Sequence, residues 1–278
     1  MWSAERLRSL IPAGGLGEDL YYYPSVGSTN DRAKELAEAG CPTGTVVVAD
    51  EQTAGRGRAG RGWFTPAGAA LAFSVVLRPP EAPADDLAPS GPRAPARRGE
   101  TAGWTAVGAL SVRDGLAALG AEAEIKWPND VLLARRKAAG VLAEAAWRAD
   151  AVTHVVIGIG VNVTPDSVPG PRLLDYPATC VETHLGHPVD RADLLAGILA
   201  SLERWTAGFR LSAVLAAWEA SLAFRGESVH VEGEGRAWQG QLSGLGPRGE
   251  LRLRLDNGDS LLLPAGVMHL RPVDSGPV

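Results

Sequence analysis

Cysteine, lysine and long apolar runs are all scarce in this chain of 278 residues, and each shortage excludes a class of protein. Two cysteines, Cys41 and Cys180, are too few for a disulfide framework or a thiolate metal cluster, so a reducing, cytoplasmic setting is expected. No apolar run reaches the roughly 18 to 20 residues of a membrane-spanning helix, and no membrane association is expected. The N-terminal stretch mixes Glu5, Arg6 and Arg8 with its apolar residues and lacks the continuous apolar segment of a signal peptide. Basic charge is in deficit as well: 27 Lys and Arg against 32 Asp and Glu leave a net charge of −5, the opposite of a dedicated nucleic-acid binder. Only three of the basic residues are lysine, namely Lys34, Lys126 and Lys137, and the last two fall in one short segment. What remains is an ordinary globular composition, 45% hydrophobic and 21% charged, able to bury a core.

The local pattern predicts a mixed α/β chain. Residues 3–11 read as a short helix and Tyr21–Tyr23 as a strand. Ser28-Thr29-Asn30 reads as a helix N-cap, with Ala33, Leu36 and Ala37 at helical spacing and Gly40 and Pro42 as stops. Thr45–Ala49 and Ala70–Leu77 read as buried strands. Residues 79–99, with six prolines and no periodicity, read as a mobile surface loop or lid margin. A helix is predicted over 101–119, strands over Glu124–Trp127, Ala138–Trp147 and His154–Val163, and about two helices over 190–223. After Arg225 short alternating strands and glycine-rich turns, with Asp256-Asn257-Gly258 as a hairpin, suggest a small barrel.

Two segments carry chemistry. Gly55-Arg56-Gly57-Arg58-Ala59-Gly60-Arg61-Gly62 formally matches the dinucleotide fingerprint, but Trp63-Phe64-Thr65-Pro66 follows where that motif requires a helix. A P-loop fails too, since no Gly-Lys-Ser/Thr follows. The loop nevertheless offers three arginines and no acid on a backbone that permits close approach, which suits a phosphate chain. A solvated basic loop and an RNA-binding arginine–glycine tract are the competing readings, although such tracts come in long repeats and this one is single. The second segment, Lys126-Trp127-Pro128-Asn129-Asp130, reads by itself as a turn. Lys137 stands just before an apolar strand, a place from which it could point along a sheet into a cleft. Gly158, Gly160 and Asn162 in a buried strand suggest close approach of a ligand or of neighbouring backbone.

Taken together, Ser28-Thr29-Asn30, Gln52, the glycine–arginine loop with Trp63, Pro66 and Gly68, Lys126-Trp127-Pro128-Asn129-Asp130, Lys137, Gly140 and Gly158-Ile159-Gly160-Val161-Asn162 resemble the biotin protein ligases in order and spacing. The resemblance spans about residues 20–225. It implies a catalytic domain at 20–224 with a mixed, mostly antiparallel sheet, and a small SH3-like β-barrel domain at 225–278. The implied reaction activates biotin with ATP and Mg²⁺ to biotinyl-5′-AMP and transfers it to a lysine of a biotin carboxyl carrier domain in a biotin-dependent carboxylase.

The resemblance also assigns roles. Lys137, Arg58 and Asp130 are implied as catalytic, with Asp130 orienting Lys137 or the incoming amine. Ser28, Thr29, Asn30, Gln52, Gly55, Arg56, Gly57, Arg58, Lys137 and Gly140 would bind biotin. Arg56, Arg58, Arg61, Trp63, Lys126, Asn129 and Asn162 would bind ATP. No protein metal cluster is expected, Mg²⁺ arriving with ATP. The chain departs from the family at Ala59 and Gly62, where basic residues are frequent, and at Thr65, where serine is usual. About two dozen residues precede Ser25, too few for the helix-turn-helix domain of bifunctional members, so neither a repressor function nor a nucleic-acid partner is expected. Monomer and homodimer both stay open. A lipoate-type acyl ligase and an RNA-binding module are the alternative functions.

Overall fold

A computed structural model describes residues 2–78, 94–149, 151–233, 235–266 and 268–273. Its centre is a seven-stranded sheet made by β1 (Leu20–Val26), β2 (Val46–Gln52), β3 (Ala70–Leu77), β4 (Ala123–Lys126), β5 (Asp130–Leu133), β6 (Arg136–Arg148) and β7 (Ala151–Asn162). The order is β1-β2-β3-β7-β6-β5-β4, with β1 and β2 parallel and the other neighbours antiparallel, so the expected mixed, mostly antiparallel sheet is present.

Alternation along the strands sorts side chains to two faces. Leu71, Phe73 and Val75 of β3 and Ile157 and Ile159 of β7 face one side, where they join the core with Val107 and Leu110 of α3 (Ala94–Ala117) and Leu195 and Ile198 of α5 (Arg191–Thr206). Each such fully buried side chain contributes about 1.5–3 kcal/mol. Gly108 lets α3 lie directly on the sheet: a Cβ there would stand 2.7 Å from Val141 and 2.9 Å from Ile157. The opposite face is covered only partly, by α2 (Thr29–Glu38), whose Ala33 and Ala37 pack on Val47, Val76 and Val156. Beyond α2 this face is open, and the cleft described below occupies it.

A short α1 (Ala4–Ser9) precedes β1, and α4 (Val181–Leu185) and α6 (Leu211–Ala220) flank α5 in the chain. A second, antiparallel sheet is formed by β8 (Ser228–Gly233), β9 (Arg236–Leu245), β10 (Leu251–Arg254), β11 (Ser260–Leu263) and β12 (Met268–Pro272), in the order β11-β10-β9-β8-β12. Its outer strands β11 and β12 share no ladder among the described residues, so the C-terminal segment is a five-stranded antiparallel sheet in which no closed barrel is found. Strand β12 has no counterpart in the sequence reading. The proline-rich reading also changes: residues 79–93 lie outside the described residues, whereas 94–99 open α3. Proline is compatible with a first helical turn, whose N–H groups lack intrahelical acceptors in any case, so Pro95 does not stop that helix.

Candidate active site

The glycine–arginine loop leaves β2 and returns as an irregular antiparallel excursion. Trp63 N–H donates to the Gly55 carbonyl at 2.8 Å, Gly57 N–H to the Arg61 carbonyl at 2.7 Å, and Gln52 N–H to the Thr65 carbonyl at 3.2 Å. The tip is a 3-10 turn, Arg58–Gly60, that places Ala59 at φ 58°, the left-handed region that glycine or asparagine would enter more cheaply. The turn brings Trp63 down onto the sheet. A Cβ on Gly160 would stand 2.3 Å from the Trp63 indole, and one on Gly140, its register partner across β6 and β7, 3.2 Å from it. These two glycines make the indole's seat, which accounts for the glycine-rich strand noted in the sequence.

At one end the cleft is neutral and polar. Ser28 is the N-cap of α2, but its side chain makes no capping hydrogen bond and lines the cleft. Thr29 donates from its backbone N–H to Gln52 Oε1 at 2.8 Å, and Gln52 Nε2 donates to Thr65 Oγ1 at 3.1 Å. Asn30 fits between α2 and β7 because residue 158 is glycine: a Cβ there would lie 1.9 Å from Asn30 Oδ1.

The other end is cationic. Lys126 ends β4 and Asp130 begins β5, on either side of the turn, and Lys137 is the second residue of β6, itself pinned by backbone hydrogen bonds to Pro177 and Thr179 at 2.8 and 2.9 Å. Asp130 lies 2.7 Å from Lys137 Nζ and 3.4 Å from Lys126 Nζ. Burial alone would raise the Asp130 pKa, but the two ammonium groups outweigh it and hold the carboxyl at about 2. Burial lowers the Lys126 pKa, opposed by Asp130 and reinforced by Lys137. Lys126 Nζ also rests 4.4 Å from the Tyr176 ring centroid, and Lys137 Nζ 5.4 Å from that of Trp63.

The three loop arginines diverge from the same loop. Arg56 pairs with Asp31 at 2.7 Å and Glu144 at 3.0 Å, and Arg61 with Asp175 at 3.0 Å. Arg58 donates to Asn129 Oδ1 at 3.3 Å, to the Ala265 carbonyl at 3.2 Å and to the Gly266 carbonyl, which ties the loop tip to the segment before β12. Burial lowers its pKa, with Asp130 opposing and Arg61 adding to the effect. Asn129 and Asn162 are held by their amides, on the Val141 carbonyl and the Thr179 carbonyl, each at 3.0 Å.

Of the residues to which the resemblance assigns catalytic or binding roles, all but Gly55 line this one cleft. Gly55 sits behind it, where a Cβ would be 2.4 Å from the Trp63 carbonyl oxygen. The sequence reading missed Asp175 and Tyr176, and it missed Met268 to Arg271 of β12, which form a further wall. None of these belongs to a local motif, so no sequence signal pointed to them.

Comparison with known proteins accords with this geometry. The profile of the biotin/lipoate A/B protein ligase family matches residues 22–162, and the chain belongs to that family. Within it the likeness is to biotin protein ligases. The chain is 33% identical to the bifunctional ligase/repressor BirA of Bacillus spizizenii over 95% of its own length and 78% of that protein's. It is 35% identical to the biotin–[acetyl-CoA-carboxylase] ligase of Paracoccus denitrificans, over 86% and 96% respectively. A solved structure of the Aquifex aeolicus biotin protein ligase in complex with biotin and ATP superposes with a TM-score of 0.74 at 28% identity, covering 92% of this chain and 99% of that one.

Proposed function

We propose that this protein activates biotin with ATP to biotinyl-5′-AMP and transfers the biotinyl group to a lysine of a biotin carboxyl carrier domain. The observation that carries the reading is the division of the cleft into a neutral hydrogen-bonding end and a cationic end, which match the two ends of biotin. The ureido ring needs neutral donors and acceptors, and Ser28, Thr29 and Gln52 supply them. The carboxylate and the phosphates need cations, and Lys137, Lys126 and the loop arginines supply those. In the first step a biotin carboxylate oxygen attacks the α-phosphorus and pyrophosphate leaves; in the second an acceptor amine attacks the acyl carbon, AMP leaves and the amine sheds a proton.

Lys137 stands where it would neutralise the carboxylate and the developing acyl phosphate, with Asp130 holding its ammonium in place. For Arg58 to reach a phosphate it exchanges the Ala265 and Gly266 carbonyls for charged oxygens, a stronger charge-assisted bond. Arg56 already pairs with the carboxylates of Asp31 and Glu144, so it would reach a phosphate by trading one charged partner for another, and Gly57 would keep the covering loop close. Arg61, Trp63, Lys126, Asn129 and Asn162 would bind the nucleotide. Mg²⁺ would arrive with ATP and neutralise part of the phosphate charge. Residues 20–224 would form the catalytic unit and 225–278 an SH3-like module that lends β12 to the site. The free thiols and the supply of ATP suit a cytoplasmic setting.

The family also embraces lipoate ligases. A dithiolane ring offers no hydrogen bonds to the polar end, and burying those groups unpaired would cost about 1–3 kcal/mol each. Pyrophosphate release from ATP, measured with biotin, with lipoate and with neither, tests the reading: release dependent on biotin is expected, and release with lipoate alone would overturn it. A related prediction concerns Gly158. Gly158→Ala drives a methyl into Asn30 and is expected to weaken biotin binding by about tenfold or more, read by isothermal titration.

A further inference from the structure

Behind the neutral end lies a chain of polar groups that ends on Glu144 of β6, a residue with no part in the proposed mechanism beyond its contact with Arg56. Glu144 Oε2 accepts from Asn30 Nδ2 at 2.8 Å and from Arg56 at 3.0 Å, and Oε1 accepts from Lys34 Nζ at 3.1 Å. Asn30 Nδ2 donates also to the Leu142 carbonyl at 3.3 Å. Carboxylate and carbonyl are acceptors only, so the Asn30 amide has one permitted orientation: NH₂ towards Glu144, Oδ1 towards Ser74. Ser74, fully buried on β3, lies 2.6 Å from Asn30 Oδ1 and 2.8 Å from Thr29 Oγ1.

Ser74 has one hydroxyl proton, and Asn30 Oδ1 has none of its own, so that proton goes to Asn30. Thr29 then directs its proton to Ser74 or to Gln52 Oε1, the latter at 3.1 Å. Either way the Thr29 proton is spent inside the protein and a lone pair is left for the cleft. A flipped Asn30 would reverse the order: Ser74 would then donate to Thr29 and take one of its two lone pairs, leaving Gln52 Oε1 as the acceptor for the Thr29 proton and a poorer acceptor facing the cleft.

We infer that Glu144 is a positioning residue for the ureido ring: through Asn30 and Ser74 it sets the Thr29 hydroxyl as an acceptor for a ureido N–H. The inference rests on the biotin reading above. Glu144 and Ser74 would act in series on one proton order, and this is what distinguishes them from two residues that merely support the fold.

The experiment is titration of biotin into the wild-type protein, Glu144→Ala, Ser74→Ala, their double variant and Glu144→Gln, with single-turnover adenylation at saturating biotin. Each alanine variant is expected to weaken biotin binding by about tenfold, and Ser74→Ala, which leaves Arg56 untouched, should change the saturated rate and the KM for ATP by less than about twofold. The double variant should be no weaker than the weaker single one, because both cut the same chain. Glu144→Gln, whose amide oxygen still accepts from Asn30, should recover most of the loss. Ser74→Ala leaves the Arg56 and Lys34 pairs intact, so it carries the test even if Glu144→Ala folds poorly. Near-wild-type binding by Ser74→Ala, or losses that multiply in the double variant, would overturn the inference while leaving the biotin reading standing. A wild-type protein that binds lipoate and not biotin would overturn both.

Discussion

Lys137→Ala is expected to slow biotinyl-adenylate formation by about 10²–10³-fold in a single turnover, the usual consequence of removing a preorganised electrostatic group. The dissociation constant for biotin should change by less than about threefold, because charge at the reacting oxygen peaks in the transition state rather than in the bound substrate. The position is unusually well prepared for that role. The Lys137 backbone is held on both sides by the 177–179 segment, and its Nζ is steered by Asp130 at 2.7 Å on a side chain that is still 27% exposed to the cleft. Lys137→Arg keeps the charge but replaces a compact ammonium with a planar fork, and should recover only part of the rate. Rapid-quench measurement with labelled ATP separates the outcomes. Weakened biotin binding with an unchanged single-turnover rate would remove Lys137 from the transition state.

Asp130→Asn should be the most damaging substitution for stability in the cleft. The carboxylate is the shared counter-ion of two lysines, at 2.7 and 3.4 Å, with side chains of which Lys126 is 10% and Asp130 13% exposed. Removing one partner from a buried ion cluster typically costs about 3–5 kcal/mol, and the remaining access to water places the expectation near 3 kcal/mol in chemical denaturation. The pH dependence follows from the folded pKa. Asp130 sits at about 2 when folded, against about 3.9 for an unfolded aspartate. The stability it contributes is therefore complete above about pH 4 and is lost as the pH falls towards 2. The variant should show a shallower acid limb than the wild type. Identical acid limbs for the two proteins would show that Asp130 is not the counter-ion of the pair.

The loop and the lysine pair show how a site of this kind is distributed along a chain. Gly158 and Gly160 were visible in the sequence as places of close approach, but what approaches them was not. Their neighbours, Asn30 and Trp63, come from more than ninety residues upstream, and only the pairing of β7 with β3 and β6 sets them face to face. The second sheet is a similar case. Its short strands were legible from alternation and glycine turns, whereas β12 was not, and β12 is the strand that walls the cleft. The contact of the segment before it with Arg58 joins residues some two hundred positions apart, which leaves no periodic trace.

By itself the sequence determined the mixed α/β class, most of the strands and the residue types at both ends of the cleft, because hydrophobic period, glycine content and charge are properties of short segments. The tertiary structure alone decided which groups share a proton or a charge: Asp130 between two lysines, Arg58 on the carbonyls before β12, and Glu144 behind Asn30. Those couplings depend on distances of about 3 Å between residues far apart in the chain. Coulombic and hydrogen-bond energies fall away within a few ångströms of such contact, so nothing short of the folded arrangement specifies them.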